Sequence, residues 1–268
     1  MMLSWIWLHV NSVRRHFLII ILAILVLAWV IFEEVQNRRP SEITADLAPL
    51  IVEGGPSQDG IPSIDDPQFE SMRAADTHLS DEGLGLDVEL NGQHRFYPFQ
   101  ILTWHEVVNE SFDGTDLLVT FSPLTYTATV YERDDAFGVS GKLLNNNLLM
   151  YDHTTNTLWS QLTGEAIQGS LEGTQLERYP SQVMSWAAWK RTYPYGSVLS
   201  RETGYERDYT NDPYFEYYTS DEIWFPLANL DDRLPPKTLV APEEGLVTYW
   251  FAWVAFYPES SLLEPIIF

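Results

Sequence analysis

Leu117–Glu132 reads LLVTFSPLTYTATVYE. Two runs rich in β-branched and aromatic residues, Leu117–Phe121 and Thr127–Tyr131, flank Ser122-Pro123-Leu124-Thr125. Such runs suit a pleated, half-buried surface, and proline after a small polar residue sets a tight turn. The stretch therefore predicts a β-hairpin, and the chain around it reads as an extension of that hairpin. Gly85–Leu90 and His94–Tyr97 flank Asn91-Gly92, the strongest short hairpin signal in the chain. Downstream, Phe137–Ser140, Leu148–Tyr151 and Thr157–Ser160 read as further short strands. Asn145-Asn146-Asn147 and His153–Asn156 serve as turn material between them.

Helical signals are few and short. Asp66-Pro67 predicts a helix start, with Asp as N-cap and Pro at the first helical position. Phe69, Met72 and Ala75 would form its apolar face. Gln100–Asn109 reads as a short helix or turn-rich segment, and helical spacing would set His105 and Asn109 on one face. Ser185–Thr192 is a helix capped by Ser185 and stopped by Pro194. The expected fold class is α+β, mainly antiparallel β with short helices, preceded by an N-terminal single-pass transmembrane helix.

That anchor is Phe17–Phe32, an unbroken apolar run. As a helix it rises about 24 Å, somewhat short of a hydrocarbon core of about 30 Å. Val35 and snorkelling Arg15 and Glu33 extend it. No A-x-A pattern offers a cleavage site near Leu27–Val30, which favours an uncleaved anchor over a signal peptide. Arg14 and Arg15 abut the span and place residues 1–16 inside the cell, although Arg38 and Arg39 nearly balance them. The expected organisation is a cytoplasmic segment 1–16, an anchor 17–35, a linker 36–58 and an extracytoplasmic domain 59–268.

Composition narrows the chemistry. The net charge of −23 and the presence of only Lys142, Lys190 and Lys237 as lysines argue against nucleic acid, whose phosphates need clustered basic residues. Cysteine is absent, so no disulfide, thiolate or cysteine-held metal exists. Ten Trp and fourteen Tyr mark a folded chain with a sizeable core.

Trp186–Pro194 and Trp250–Pro258 share W-x-A-W-x-x-x-Y-P, five identities in nine positions. They point to two related units, the second a degenerate repeat near 234–262. Between Leu234 and Tyr249 the spacing leaves no room for the strands that precede the first copy.

From about Asp59 onward the chain resembles the DUF3179 family. The matching stretches are Asp59-Gly60-Ile61-Pro62 with Asp65-Asp66-Pro67, Tyr97-Pro98, Trp104–Asn109, Gly138–Gly141, Leu148–Asp152, Leu158–Ala166, Thr203-Gly204-Tyr205 with Arg207-Asp208-Tyr209, and Trp250–Pro258. The family name carries no established function. Family members typically read C-P-L-C-G-T-A at the opening turn, some with selenocysteine, which implies thiol or selenol redox chemistry in those relatives. Here Ser122 and Thr125 stand at both sulfur positions and Tyr126 at the glycine. Hydroxyls near neutral pH are neither thiolates nor soft metal ligands. The resemblance implies a membrane-anchored binding or accessory protein that has lost the sulfur pair.

The remaining polar residues define a candidate pocket: His105, Glu106, Asn109, Ser122, Thr125, Asp152, Trp159 and Gln161. His105, Glu106 and Asp152 supply acid–base groups for a non-thiol enzyme. Ser122 with His105 and Asp152 has the residue types of a hydrolase triad, but no G-x-S-x-G elbow surrounds it. Asp152, Trp159 and Gln161 fit a small polar ligand, or else a turn aspartate and a core tryptophan. No histidine pair with metal-ligand spacing is present, and no cofactor is named by the sequence. The expected partners are the membrane, through Phe17–Phe32, and a small polar ligand or a protein.

Overall fold

The opening hairpin is the middle of a layered stack. The structure, a computed structural model, describes residues 48–267 apart from residue 244. Phe17–Phe32 and residues 1–16 lie outside the described residues. Among the described residues, no helix is long and apolar enough to cross a membrane.

In chain order the strands are β1 (Val52–Glu53), β2 (Phe69–Ser71), β3 (Leu84–Leu90), β4 (Gln93–Pro98), β5 (Val107–Phe112), β6 (Thr115–Ser122), β7 (Thr127–Glu132) and β8 (Phe137–Leu144). Then follow β9 (Asn147–Asp152), β10 (Leu158–Ser160), β11 (Ala166–Gln168), β12 (Arg178–Tyr179), β13 (Ser181–Ser185), β14 (Ser197–Leu199), β15 (Leu239–Glu243) and β16 (Leu246–Tyr249). Five short helices join them: α1 (Met72–Ala75), α2 (Phe99–His105), α3 (Trp186–Thr192), α4 (Phe215–Tyr218) and α5 (Trp250–Phe256). The architecture is mainly antiparallel β with a few short helices; β4 and β14 form a parallel pair.

The central sheet has the order β12-β7-β6-β5. Its side chains alternate between two interfaces, as the pleat requires. Leu117, Val119, Phe121, Ala128 and Val130 face Leu86, Val88 and Tyr97 of the sheet β13-β3-β4-β14-β2. Leu118 and Tyr131 face the other way, toward Leu148, Met150 and Trp159 of the sheet β1-β8-β9-β10-β11. The hairpin is thus buried on both faces, and the register Phe121↔Ala128 and Ser122↔Thr127 closes it at the turn.

Each of the two W-x-A-W segments becomes a helix that directly follows a strand, β13 before α3 and β16 before α5. Trp186 and Trp189 of α3 pack on Phe96 and Val198, and Trp250 and Trp253 of α5 pack on Leu149, Tyr151 and Leu158. Both helices end in nearly the same backbone geometry, φ −123° at Tyr193 and φ −128° at Tyr257. The Ser185 hydroxyl caps α3 by accepting from Ala188 N at 3.3 Å.

Four expectations are corrected. Asp66-Pro67 does not start a helix. Phe69 lies in β2, its ring edge-on to Tyr97 with Arg95 over its face, and α1 begins at Met72 with Ser71 as its cap. The helix over 100–109 stops at His105. Glu106 turns into the left-handed region (φ 60°) and Val107–Phe112 becomes a strand paired with β6, so His105 and Asn109 share no helix face. Val52 and Glu53, inside the stretch expected to be linker, form a strand paired with Leu143 and Lys142 of β8. The second W-x-A-W copy does have preceding strands: β15 and β16 fit between Leu234 and Tyr249 as a tight hairpin.

Candidate functional site

Ser122 and Thr125 leave the turn on the side of β9 and are fully enclosed. The Ser122 hydroxyl oxygen accepts from Leu148 N at 3.1 Å. The Thr125 hydroxyl oxygen accepts from Asn147 Nδ2 and from the Thr127 hydroxyl, each at 3.0 Å. Thr127 in turn meets the Thr248 hydroxyl at 2.8 Å. Gln161 closes the network: its Oε1 accepts from Asn147 Nδ2 at 2.8 Å, and its Nε2 reaches Thr120 Oγ1, Thr127 O and Thr129 Oγ1 within 3.1 Å. Leu162 N completes Asn147 by donating to its Oδ1. Buried polar groups are tolerable when paired in this way. None of the hydrogen-bond partners of Ser122 or Thr125 is a base, so neither hydroxyl is set up as a nucleophile.

The other sequence-selected residues fall into separate sets. His105 donates from Nδ1 to Pro62 O at 2.8 Å, which leaves Nε2 to accept from the Tyr209 hydroxyl at 2.7 Å. Burial lowers its pKa to about 4, so the ring is neutral at pH 7. Asn109 holds Asp65 and both backbone polar atoms of Phe137. Asp152 caps its own turn, accepting from Thr155 N, Thr157 N and Trp159 Nε1. Burial opposes its ionisation, but the bonds from Trp159 and Thr155 outweigh that and hold its carboxyl below the usual range. The structure therefore joins Ser122, Thr125 and Gln161, joins Asp152 to Trp159, and gives His105, Glu106 and Asn109 partners of their own.

Glu106 differs from these. It is buried, accepts from the Tyr214 hydroxyl at 3.1 Å, and burial raises its pKa to about 8. Its backbone carbonyl accepts from Phe121 N, which ties it to the turn.

Tyr126 leaves the same turn on the opposite side. Its φ is +53°, a conformation costly for a bulky residue and free for glycine. Glycine, the residue expected there from the family resemblance, would take it without strain. The ring compensates through contacts: Phe99, Phe121 and Tyr218 stand edge-on to it at 5.6, 5.5 and 5.6 Å, and Tyr249 packs at 5.5 Å. Burial pushes its hydroxyl up to about 12.

This ring lines a cleft of about 260 Å³ whose wall includes Phe99, Phe121, Tyr218, Gln100 and Asp212. The Tyr218 hydroxyl is buried and bonds to nothing among the described residues. Asp212 accepts from Tyr214 N, and burial raises its carboxyl above the usual range. The sequence reading missed this cleft. Its members come from the 79–84 segment, β4, α2, β6, the turn, α3 and the 209–218 segment, and only Tyr126, at a position where glycine is expected, marked the place in the sequence.

A second cleft of about 760 Å³ contains Asp87 and His94. Asp87 accepts from Trp189 Nε1 at 2.6 Å and pairs with His94 Nδ1, whose ring stacks on Tyr193. Among the described residues, no three histidine or carboxylate side chains are grouped to hold a metal ion.

The class this defines is a stack of three β-sheets with a closed hydroxyl turn at its centre and an aromatic cleft beside it. The family described as a protein of unknown function, DUF3179, matches residues 58–244, more than half of the chain, and this chain belongs to it. No curated protein and no solved structure matches the chain.

Proposed function

We propose that this chain is a binding or accessory member of its family, held to a membrane by Phe17–Phe32 with its domain on the extracytoplasmic side, and no longer a redox protein. The observation that carries this reading is the division of labour at one turn. Ser122 and Thr125, at the positions where relatives are expected to carry sulfur, are consumed by structural hydrogen bonds. Tyr126, one residue on, lines an aromatic cleft that holds an unpaired hydroxyl and a carboxylate. Concave sites with aromatic walls and a few polar groups are where small ligands bind.

The test is a thermal-shift survey of the full-length chain in a non-ionic detergent against small amines, aromatic acids and sugars. At least one class should raise the melting temperature of the wild type and not that of Tyr126→Ala. No shift with any class, or equal shifts in the variant, contradicts the reading. Protease added outside intact cells should remove the domain; a protected domain contradicts the topology.

The alternative is a non-thiol enzyme built on His105, Glu106 and Asp152. Glu106 favours it, because a carboxyl that stays protonated near pH 7 can act as a general acid. Against it, the three residues bond to three different sets of partners.

A further inference from the structure

We infer that the cleft beside Tyr126 takes a small organic cation, a methylated ammonium of choline size, an inference that rests on the reading of this cleft as the ligand site. Its wall includes the rings of Phe99, Tyr126 and Tyr218, with the fully buried Phe121 stacked on Phe99 at 4.2 Å, and one charged group, the carboxylate of Asp212. No Lys or Arg lines it. Aromatic faces attract cations through their quadrupole, most strongly where the site is partly desolvated, and a carboxylate adds a full charge of the matching sign.

The other ligand classes fit less well. An anion would meet Asp212 with no basic group on the wall to offset it. Arg201, which donates to Gln100 Oε1 and to His78 O, is not part of the wall. A sugar needs several free donors and acceptors. Here Gln100 Oε1 is taken by Arg201, and the Thr103 hydroxyl donates to Phe99 O at 2.7 Å. What remains is ring surface, Gln100 Nε2, the side-chain amide of Asn211, the second oxygen of Asp212 and the unpaired Tyr218 hydroxyl, whose oxygen can accept from a ligand O–H. Asp212 lies close enough to the hydroxyls of Tyr126 and Tyr218 to add to burial in keeping both protonated, so the rings stay neutral. A volume of about 260 Å³, just below the usual range for ligand pockets, suits a small ligand.

Choline and its uncharged isostere 3,3-dimethylbutan-1-ol separate charge from shape. Each is titrated into the full-length chain in a non-ionic detergent, followed by the fluorescence of the tryptophans, of which Trp186 lines the cleft. Choline should bind at least tenfold more tightly than the alcohol. Asp212→Asn should remove that advantage and leave the affinity for the alcohol unchanged. Equal binding of both compounds overturns the cation and leaves the cleft as a ligand site. Binding of neither overturns both readings. Choline binding that survives Asp212→Asn undiminished overturns the assignment to this cleft.

Discussion

The two sides of one hairpin turn are built to opposite rules. Toward β9, Ser122, Thr125 and Thr127 meet Asn147 and Gln161, and the hydrogen-bonding groups named there are used. Toward α2, Phe121 and Tyr126 meet rings, and the contacts stop short of closing the space. The alternation of the strands produces the division, since neighbouring side chains of β6 and β7 point to opposite layers. A saturated polar network is rigid and has nothing left to offer a ligand, whereas an aromatic wall with an unpaired hydroxyl does.

The largest effect should come from breaking the closed side. Gln161→Leu keeps the volume but strips partners from Thr120, Thr129 and Asn147 at once. The expected loss is on the order of 5 kcal/mol, read as a lower urea midpoint. A loss below about 1 kcal/mol would mean that the network is not what holds the turn.

Next comes the pH dependence of the pair His105 and Glu106. Glu106 is held neutral up to about pH 8 in the fold, whereas its ordinary pKa is 4.5. Its contribution is therefore complete below 4.5 and is lost as pH rises to 8, on the order of 5 kcal/mol in all. Glu106→Gln, which stays neutral, should show a stability advantage that grows from pH 5 to pH 9. His105 slopes the other way. Its pKa falls from 6.5 to about 4, so its contribution is full above 6.5 and is lost as pH drops toward 4, on the order of 3 kcal/mol. Between 4.5 and 6.5 the two slopes oppose, and urea midpoints measured across pH should be flattest there.

Tyr126 gives the smaller, sharper contrast. Losing its ring should cost about 3 kcal/mol in Tyr126→Ala. Tyr126→Gly loses the same ring but gains a backbone at ease with φ +53°. It should be more stable than the alanine variant by about 1 kcal/mol, read from the same midpoints. The reverse order would mean that the turn does not keep its left-handed geometry.

Much of the fold was legible because local chemistry and global layering agree. The Asn91-Gly92 turn, the Asn145-Asn146 turn with φ values of 53° and 63°, and the Ser185 cap all form where their residue types demand. The end of α2 was not legible, because glutamate at 106 is no usual left-handed residue; a backbone bond from Phe121 N and burial beside Tyr214 hold it there. Asp66-Pro67 carried a genuine local helix signal, and the pairing of Phe69 with Leu199 overrode it. The candidate pocket was the least legible part. Polar residues that stand near one another in sequence, such as His105, Glu106 and Asn109, bond to partners more than twenty residues away. The partners that shape the cleft, Asp212 and Tyr218, sit in a loop-rich segment with no motif to announce them.

The central claim is that the hydroxyl side of the turn is sealed in the folded protein. Thr125→Cys places a single thiol there, in a chain that has no other. Its reaction with a water-soluble aromatic disulfide reagent should be at least a hundredfold slower in the native chain than in urea. A native rate equal to the rate in urea would contradict the sealed turn, and with it the division between the two sides.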